Sequence, residues 1–223
     1  MKRLIFYAAL SSLFILSFNV SLKAQELKNI RIDQYGKIIE CEILYQKGET
    51  SLKITVDGQG SIKGIAYTKE NQNKVTYDYY DEFAEPERQS KPYLLGDMEV
   101  SYFTTLEAAE KEGKLSKIGD LAFDYFISDP DKAGRIYHIG ALKFDYYTRY
   151  TDNSLKGKLS LIGDLNFEYF SEFNEREKSG KIRKIGEYEM DYYTLYDNDK
   201  KAGRIKELKG KSNNFSLQAF VTP

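Results

Sequence analysis

A nucleophile-and-base site in this 223-residue chain would have to be built around one histidine, His138, or one cysteine, Cys41, because the sequence holds one of each. A Ser-His-Asp arrangement needs His138 as its general base. In the internal repeat described below, that position is filled in other copies by Lys117, Leu161, Lys184 and Glu207, the pattern of an ordinary strand surface. Cys41, inside IIECEILY, reads as a small buried apolar residue and has no partner for an intrachain disulfide. One His and one Cys also fall short of the usual structural zinc sets.

Carboxylates are plentiful, with 34 Asp and Glu. Glycoside hydrolysis uses two of them about 5 to 9 Å apart, but residues this abundant meet at such distances by chance. Asp129-Pro130-Asp131 and Asp197-Asn198-Asp199 offer hard oxygen ligands of the kind calcium takes. Lys132, Lys200 and Lys201 interrupt both, and turn formation accounts for the Asp and Asn residues. The expectation is therefore a protein with no catalytic, cofactor or metal residues. A hydrolase working through a carboxylate pair is the alternative.

The aromatic residues carry a sharper pattern: Tyr102-Phe103, Tyr125-Phe126, Tyr146-Tyr147, Tyr169-Phe170 and Tyr192-Tyr193. Adjacent residues of a strand point to opposite faces, so one ring of each pair is free to line a core. The second ring of each pair, Phe103, Phe126, Tyr147, Phe170 and Tyr193, forms the candidate binding surface, since rows of exposed aromatics offer rigid, amphipathic contact area.

The elements that position these rings are repeats. Copies begin at Gly96, Gly119, Gly140, Gly163 and Gly186, mostly 23 residues apart, and a degenerate copy runs from 73 to 95. Counting the first Gly as position 0, positions 2, 4 and 6 are apolar or Tyr (Leu121, Phe123 and Tyr125 in one copy), which predicts a strand with one apolar face. GKLSKI, GRIYHI, GKLSLI, GKIRKI and GRIKEL are short return strands. Ile-Gly-Asp-Leu at 118–121 and 162–165 places Gly where a type II′ hairpin turn needs φ > 0. Positions 8 to 16 form a variable loop, two residues shorter in the copy from Gly119.

Charge chooses the sheet geometry. Parallel coils would stack Asp124, Asp145, Glu168 and Asp191 about 5 Å apart, whereas an antiparallel meander doubles that spacing. The predicted fold is all-β, an array of about 23-residue β-hairpins forming an elongated antiparallel meander, with a parallel β-solenoid as alternative. A strict two-residue turn would put Leu115, Ile136, Leu159, Ile182 and Ile205 on the acidic face, so a bulge or a second apolar face is required.

Lys2 and Arg3 followed by an apolar run from Leu4 to Phe18 read as a secretory signal peptide over residues 1–24. Residues 25–72 read as an N-terminal β-hairpin segment, 73–210 as the array and 211–223 as a closing strand or tail. Removing residues 1–24 takes away three of the 33 basic residues and none of the 34 acidic ones, leaving four net negative charges. That balance offers no footprint for nucleic acid, and no transmembrane segment follows the leader. These features imply an extracytoplasmic, non-enzymatic binding or scaffold protein that engages a protein or glycan of the cell envelope. Self-association through sheet edges is a further possibility.

The 23-residue period, its paired aromatics and its Gly-Lys-Leu/Ile elements resemble MORN-type repeats over residues 73–210, with FDYYTRYTDNSLKGKLSLIG at 144–163 the nearest stretch. The loop is longer than in that family, and the family's internal Gly pattern is missing. The resemblance implies elongated β-hairpin sheets and roles in protein or membrane association.

Overall fold

The computed structural model describes residues 23–221 apart from 73, with side chains from Gln25 onward. The predicted leader lies outside the described residues except for its last two. Among the described residues there is no α-helix, and the chain forms two sheets. The first four strands are β1 (Lys23–Asp33), β2 (Ile38–Lys47), β3 (Thr50–Val56) and β4 (Ile62–Lys69). The array then supplies β5 (Tyr77–Tyr79), β6 (Pro92–Leu95), β7 (Met98–Tyr102), β8 (Leu115–Ile118), β9 (Leu121–Tyr125) and β10 (Ile136–Ile139). It continues with β11 (Leu142–Tyr146), β12 (Leu159–Ile162), β13 (Leu165–Tyr169), β14 (Ile182–Ile185), β15 (Tyr188–Tyr192) and β16 (Ile205–Lys209). The last strand is β17 (Ser216–Phe220).

Strands β5 to β16 form one 12-stranded antiparallel meander in sequence order. The parallel-solenoid alternative is thereby overturned: each strand pairs with its chain neighbours, so like positions of successive copies are separated by an intervening strand. In the hairpin turns Gly96, Gly119, Gly140, Gly163 and Gly186 have φ between 53° and 63°. The residues that follow them do not have positive φ, which is the type II′ pattern.

A bulge in every copy resolves the misplaced Leu and Ile. Asp145 pairs with Leu161 but the next residue, Tyr146, pairs with Leu159, so Ser160 is skipped. The same shift recurs at Ser101/Tyr102, Glu168/Tyr169 and Asp191/Tyr192. The extra residue lets two apolar positions three apart, such as Leu115 with Ile118, face the core together. Pro92, which has no N–H for a ladder, starts β6, second from the array's edge.

The second sheet has the order β17-β1-β2-β3-β4. The C-terminal strand pairs with β1 in parallel, Ile30 opposite Leu217. Ile30, Ile32, Ile43, Leu52 and Ile54 of this sheet are fully buried and belong to one hydrophobic cluster with Phe123, Phe144, Phe167 and Tyr192 of the array. Polar contacts pin the two sheets together. Ile136 N–H donates to the Gly60 carbonyl at 3.0 Å, Ile205 N–H to the Gln34 carbonyl at 2.8 Å, and Tyr67 Oη to Asp97 Oδ1 at 2.9 Å. Gly60 lies so close to Tyr146 that a Cβ would collide with its phenol, and its φ of 77° suits glycine in any case.

Candidate functional site

The loop side of the array is assembled from two ladders of lysines. The first comes from the residue after the second Gly of each copy. Lys114 Nζ donates to the Gly134 carbonyl of the next copy, and Lys158 and Lys181 likewise reach Gly180 and Gly203. Arg135 does the same with Gly157 at 2.8 Å. Each cation lies over the position-6 Tyr of the following copy, Lys114 over Tyr125 at 5.1 Å and Lys158 over Tyr169 at 5.3 Å. Burial pushes the pKa of Lys114, Lys158 and Lys181 below the usual lysine range and pushes that of Tyr102, under Lys91, up to about 12.

The second ladder comes from the loops. Lys111, Lys132 and Lys178 each bridge to the position-5 acid of the next copy: Asp124 (2.5 Å), Asp145 (2.6 Å) and Asp191 (2.8 Å). In the copy from Gly140 the corresponding loop residue is buried Leu155, and Glu168 pairs instead with Arg183. The repeated acids are therefore partnered along the array.

This geometry places the aromatic residues singled out from the sequence. Phe103, Phe126, Tyr147, Phe170 and Tyr193 are half-buried. The first four pack edge-on against the position-6 Tyr of the next copy, for example Phe103 on Tyr125 at 6.1 Å and Phe170 on Tyr192 at 6.1 Å. Lys111 covers Phe103, Lys132 covers Phe126, and Lys178 covers Phe170, at 5.1 to 5.7 Å. Tyr193 has no following copy and lies under Lys201 and Lys206. Ring pairs of this kind contribute about 0.5 to 1.5 kcal/mol each. Backbone bonds close the loop neck at the same residue: Phe170 N–H donates to the Lys181 carbonyl at 2.9 Å, and Gly180 N–H donates to the Phe170 carbonyl at 2.8 Å. The five residues are brought together as one row, whose rings are rungs between copies.

The side chains presented to solvent lie three residues further on. Phe83, Leu106, Tyr150, Phe173 and Tyr196 all occupy position 10 and are 88% to 98% exposed. A short cap holds three of these loops. Ser171 N–H donates to Asn174 Oδ1 at 2.8 Å, Thr194 N–H to Asp197 Oδ2 at 3.0 Å and Thr104 N–H to Glu107 Oε2 at 2.7 Å, so positions 9 and 10 project beyond the capped turn. Hairpins in one sheet repeat every two strands, about 10 Å, so the tips form a spaced row along the array. The sequence reading missed them because each is one apolar letter in a polar, variable loop. Counting from the first Gly reveals the register.

The shortened loop of the copy from Gly119 interrupts the row. There Asp131 is buried and accepts from Arg149 Nη2 at 2.6 Å and from Arg149 N–H at 2.8 Å, with Lys156 Nζ at 3.2 Å. The Arg149 side chain and backbone N–H hold the Asp131 carboxyl well below the usual carboxylate range. Asp197 is held low in the same way by Lys206 and Thr194. Both stretches considered for calcium thus have a carboxylate bound by the chain's own cations. Among the described residues, no group of three or more His, Cys, Asp or Glu residues is arranged to hold a metal. His138 lies on β10, paired with Asp124 and Lys143, its ring against Tyr137. Cys41 is buried in the core, which pushes its thiol pKa up. No described helix is long and apolar enough to cross a membrane. Compared with protein families, curated proteins and solved structures, the chain finds no match.

Proposed function

We propose that this chain is an extracytoplasmic, non-enzymatic binding or scaffold module of the cell envelope, and that it engages its partner through the row of loop tips. The observation that carries this reading is the set of five exposed apolar side chains, Phe83, Leu106, Tyr150, Phe173 and Tyr196, at one repeat position, three of them on capped loops. Exposed apolar side chains scattered singly need no explanation, but a row in register does. Phe83, Leu106 and Phe173 lack polar tips, which favours a protein face over a sugar.

The test is a variant carrying Ser at all five tips. Wild-type chain is expected to sediment with isolated envelope, and the variant to bind about tenfold less or weaker. Protease treatment of the envelope is expected to abolish the binding, whereas periodate treatment is not. Undiminished binding by the five-Ser variant would sink the assignment to the tips.

A further inference from the structure

Two turns of the five-stranded sheet rest on the array, and they are built alike. Asp33 caps the turn between β1 and β2, its Oδ1 accepting from Tyr35 N–H at 2.8 Å and from Lys37 N–H at 2.9 Å. Asp57 caps the turn between β3 and β4 in the same way, accepting from the N–H groups of Gln59 and Ser61, each at 2.9 Å. The first turn seats Gly36 against the phenol of Tyr192, and the second seats Gly60 against that of Tyr146. Both of these tyrosines are buried.

Tyr169 is the corresponding ring of the copy between them, and it is only partly buried. A cleft of about 590 Å³ opens there, bordered by both turns, and has the size of an ordinary ligand site. Lys158, Tyr169 and Lys181 of the array line it together with Tyr35, Lys37 and Ile39 from the first turn and the start of β2. The second turn contributes Asp57, Gly58 and Gln59.

Charge in this cleft is uneven. Lys37, Lys63, Lys158 and Lys181 line it against Asp33 and Asp57. The two acids are engaged by their own turns, and Asp57 also by Lys63 at 3.0 Å. Lys158 and Lys181 each donate to one carbonyl, of Gly180 and Gly203, although an ammonium carries three donors. Among the described residues neither makes an ion pair, whereas Lys111, Lys132 and Lys178 of the outer ladder each do. Burial without such a pair holds Lys158 and Lys181 below the usual lysine range.

The neighbouring junction shows what such a cation receives. Arg135, the counterpart of Lys158 one copy earlier, gives Nη1 to the Gln59 carbonyl at 2.8 Å and to Gln59 Oε1 at 2.9 Å. There a turn supplies the oxygen acceptors; at Lys158 and Tyr169 the cleft takes the turn's place. We propose that the cleft is a second binding site, separate from the loop tips, for a small-molecule carboxylate with an aromatic body. Its oxygens meet Lys158 and Lys181, and its ring lies against Tyr35 and Tyr169. The two rings and Ile39 select the apolar body, and the ammonium groups without a counter-ion select the charge.

The probe is phenylacetate, with phenylacetamide as the uncharged control and acetate as the control without a ring. Titrated into the mature chain, phenylacetate is expected to bind saturably and to shift the ring resonances of Tyr35 and Tyr169. Each control is expected to bind at least about tenfold more weakly. Lys158→Met removes one ammonium and is expected to weaken phenylacetate binding about tenfold. Because that variant also loses a rung of the array, Lys37→Glu, at an exposed position on the rim, provides a second test and is expected to weaken binding in the same direction. The five-Ser loop-tip variant is expected to bind phenylacetate as wild type does, which separates this site from the first. No saturable binding by the wild-type chain, or binding unchanged in both lysine variants, overturns the proposal. Equal affinity for phenylacetamide removes the role of charge, and equal affinity for acetate leaves a bare anion site; either result also overturns it.

Discussion

The five-stranded sheet and the 12-stranded array reach the same fully buried core by different means. The sheet uses long ladders: β2 and β3 pair over seven consecutive positions without a break. The array uses strands of three to five residues, each interrupted by a bulge or a turn, and adds side-chain rungs between copies. Long strands are stabilised by backbone pairing, whereas the short ones add cations over rings at their junctions and, at three of them, a lysine–carboxylate bridge. The difference teaches that the repeated letters of the array report coupling between copies before they report any chemistry.

The largest expected effect tests whether the two regions are one unit. Ile43→Ala in the sheet and Phe144→Ala in the array, both fully buried, are each expected to cost about 3 to 4 kcal/mol. Calorimetry should show a single transition that moves down in both variants. Two transitions responding separately would split the shared core.

Next come the rungs. Lys158→Met removes the donor to the Gly180 carbonyl and the cation over Tyr169, at an expected cost of about 2 kcal/mol in urea denaturation. Lys53→Met in the sheet removes an exposed ion pair with Glu42 and is expected to change stability by less than about 1 kcal/mol. Equal losses would erase the distinction between a rung and a surface lysine.

Acid should act on the array through its shortened loop. Asp131 titrates well below its unfolded value of about 4. Its contribution is therefore present above that pH and is lost as pH falls toward the lower folded value. Stability measured from about pH 5 downward is expected to fall more steeply in wild type than in Asp131→Asn. Parallel profiles would remove the Asp131–Arg149 link from the account.

A gain is expected at Ser90, which holds the second-Gly position of the degenerate copy with φ of 61°. Ser90→Gly relieves a left-handed conformation and should raise stability by about 1 kcal/mol. Smallest of all, Ser at any single loop tip should leave stability within about 0.5 kcal/mol, since these side chains touch little of the fold.

Much of the array could be read from its letters. The alternation at positions 2, 4 and 6 marked its core and the hairpin glycines its turns; the placement of Leu115 called for a bulge or a second apolar face, and the structure chose the bulge. The candidate site was less legible. Whether Phe103 or Phe170 faces solvent depends on what the next copy sets against it, and no single copy contains that information.

The sequence by itself determined the local pieces: strands, turns, and a repeat whose antiparallel order follows from short connections and like charges. Tertiary structure alone decided which aromatics became rungs, which apolar residues were left at the loop tips, and that β17 would pair in parallel with β1. The last contact joins Ser216 to Asn29 across 187 residues. No local period extends over such a distance; the pairing arises because β1 presents an open edge and the array returns the chain to it.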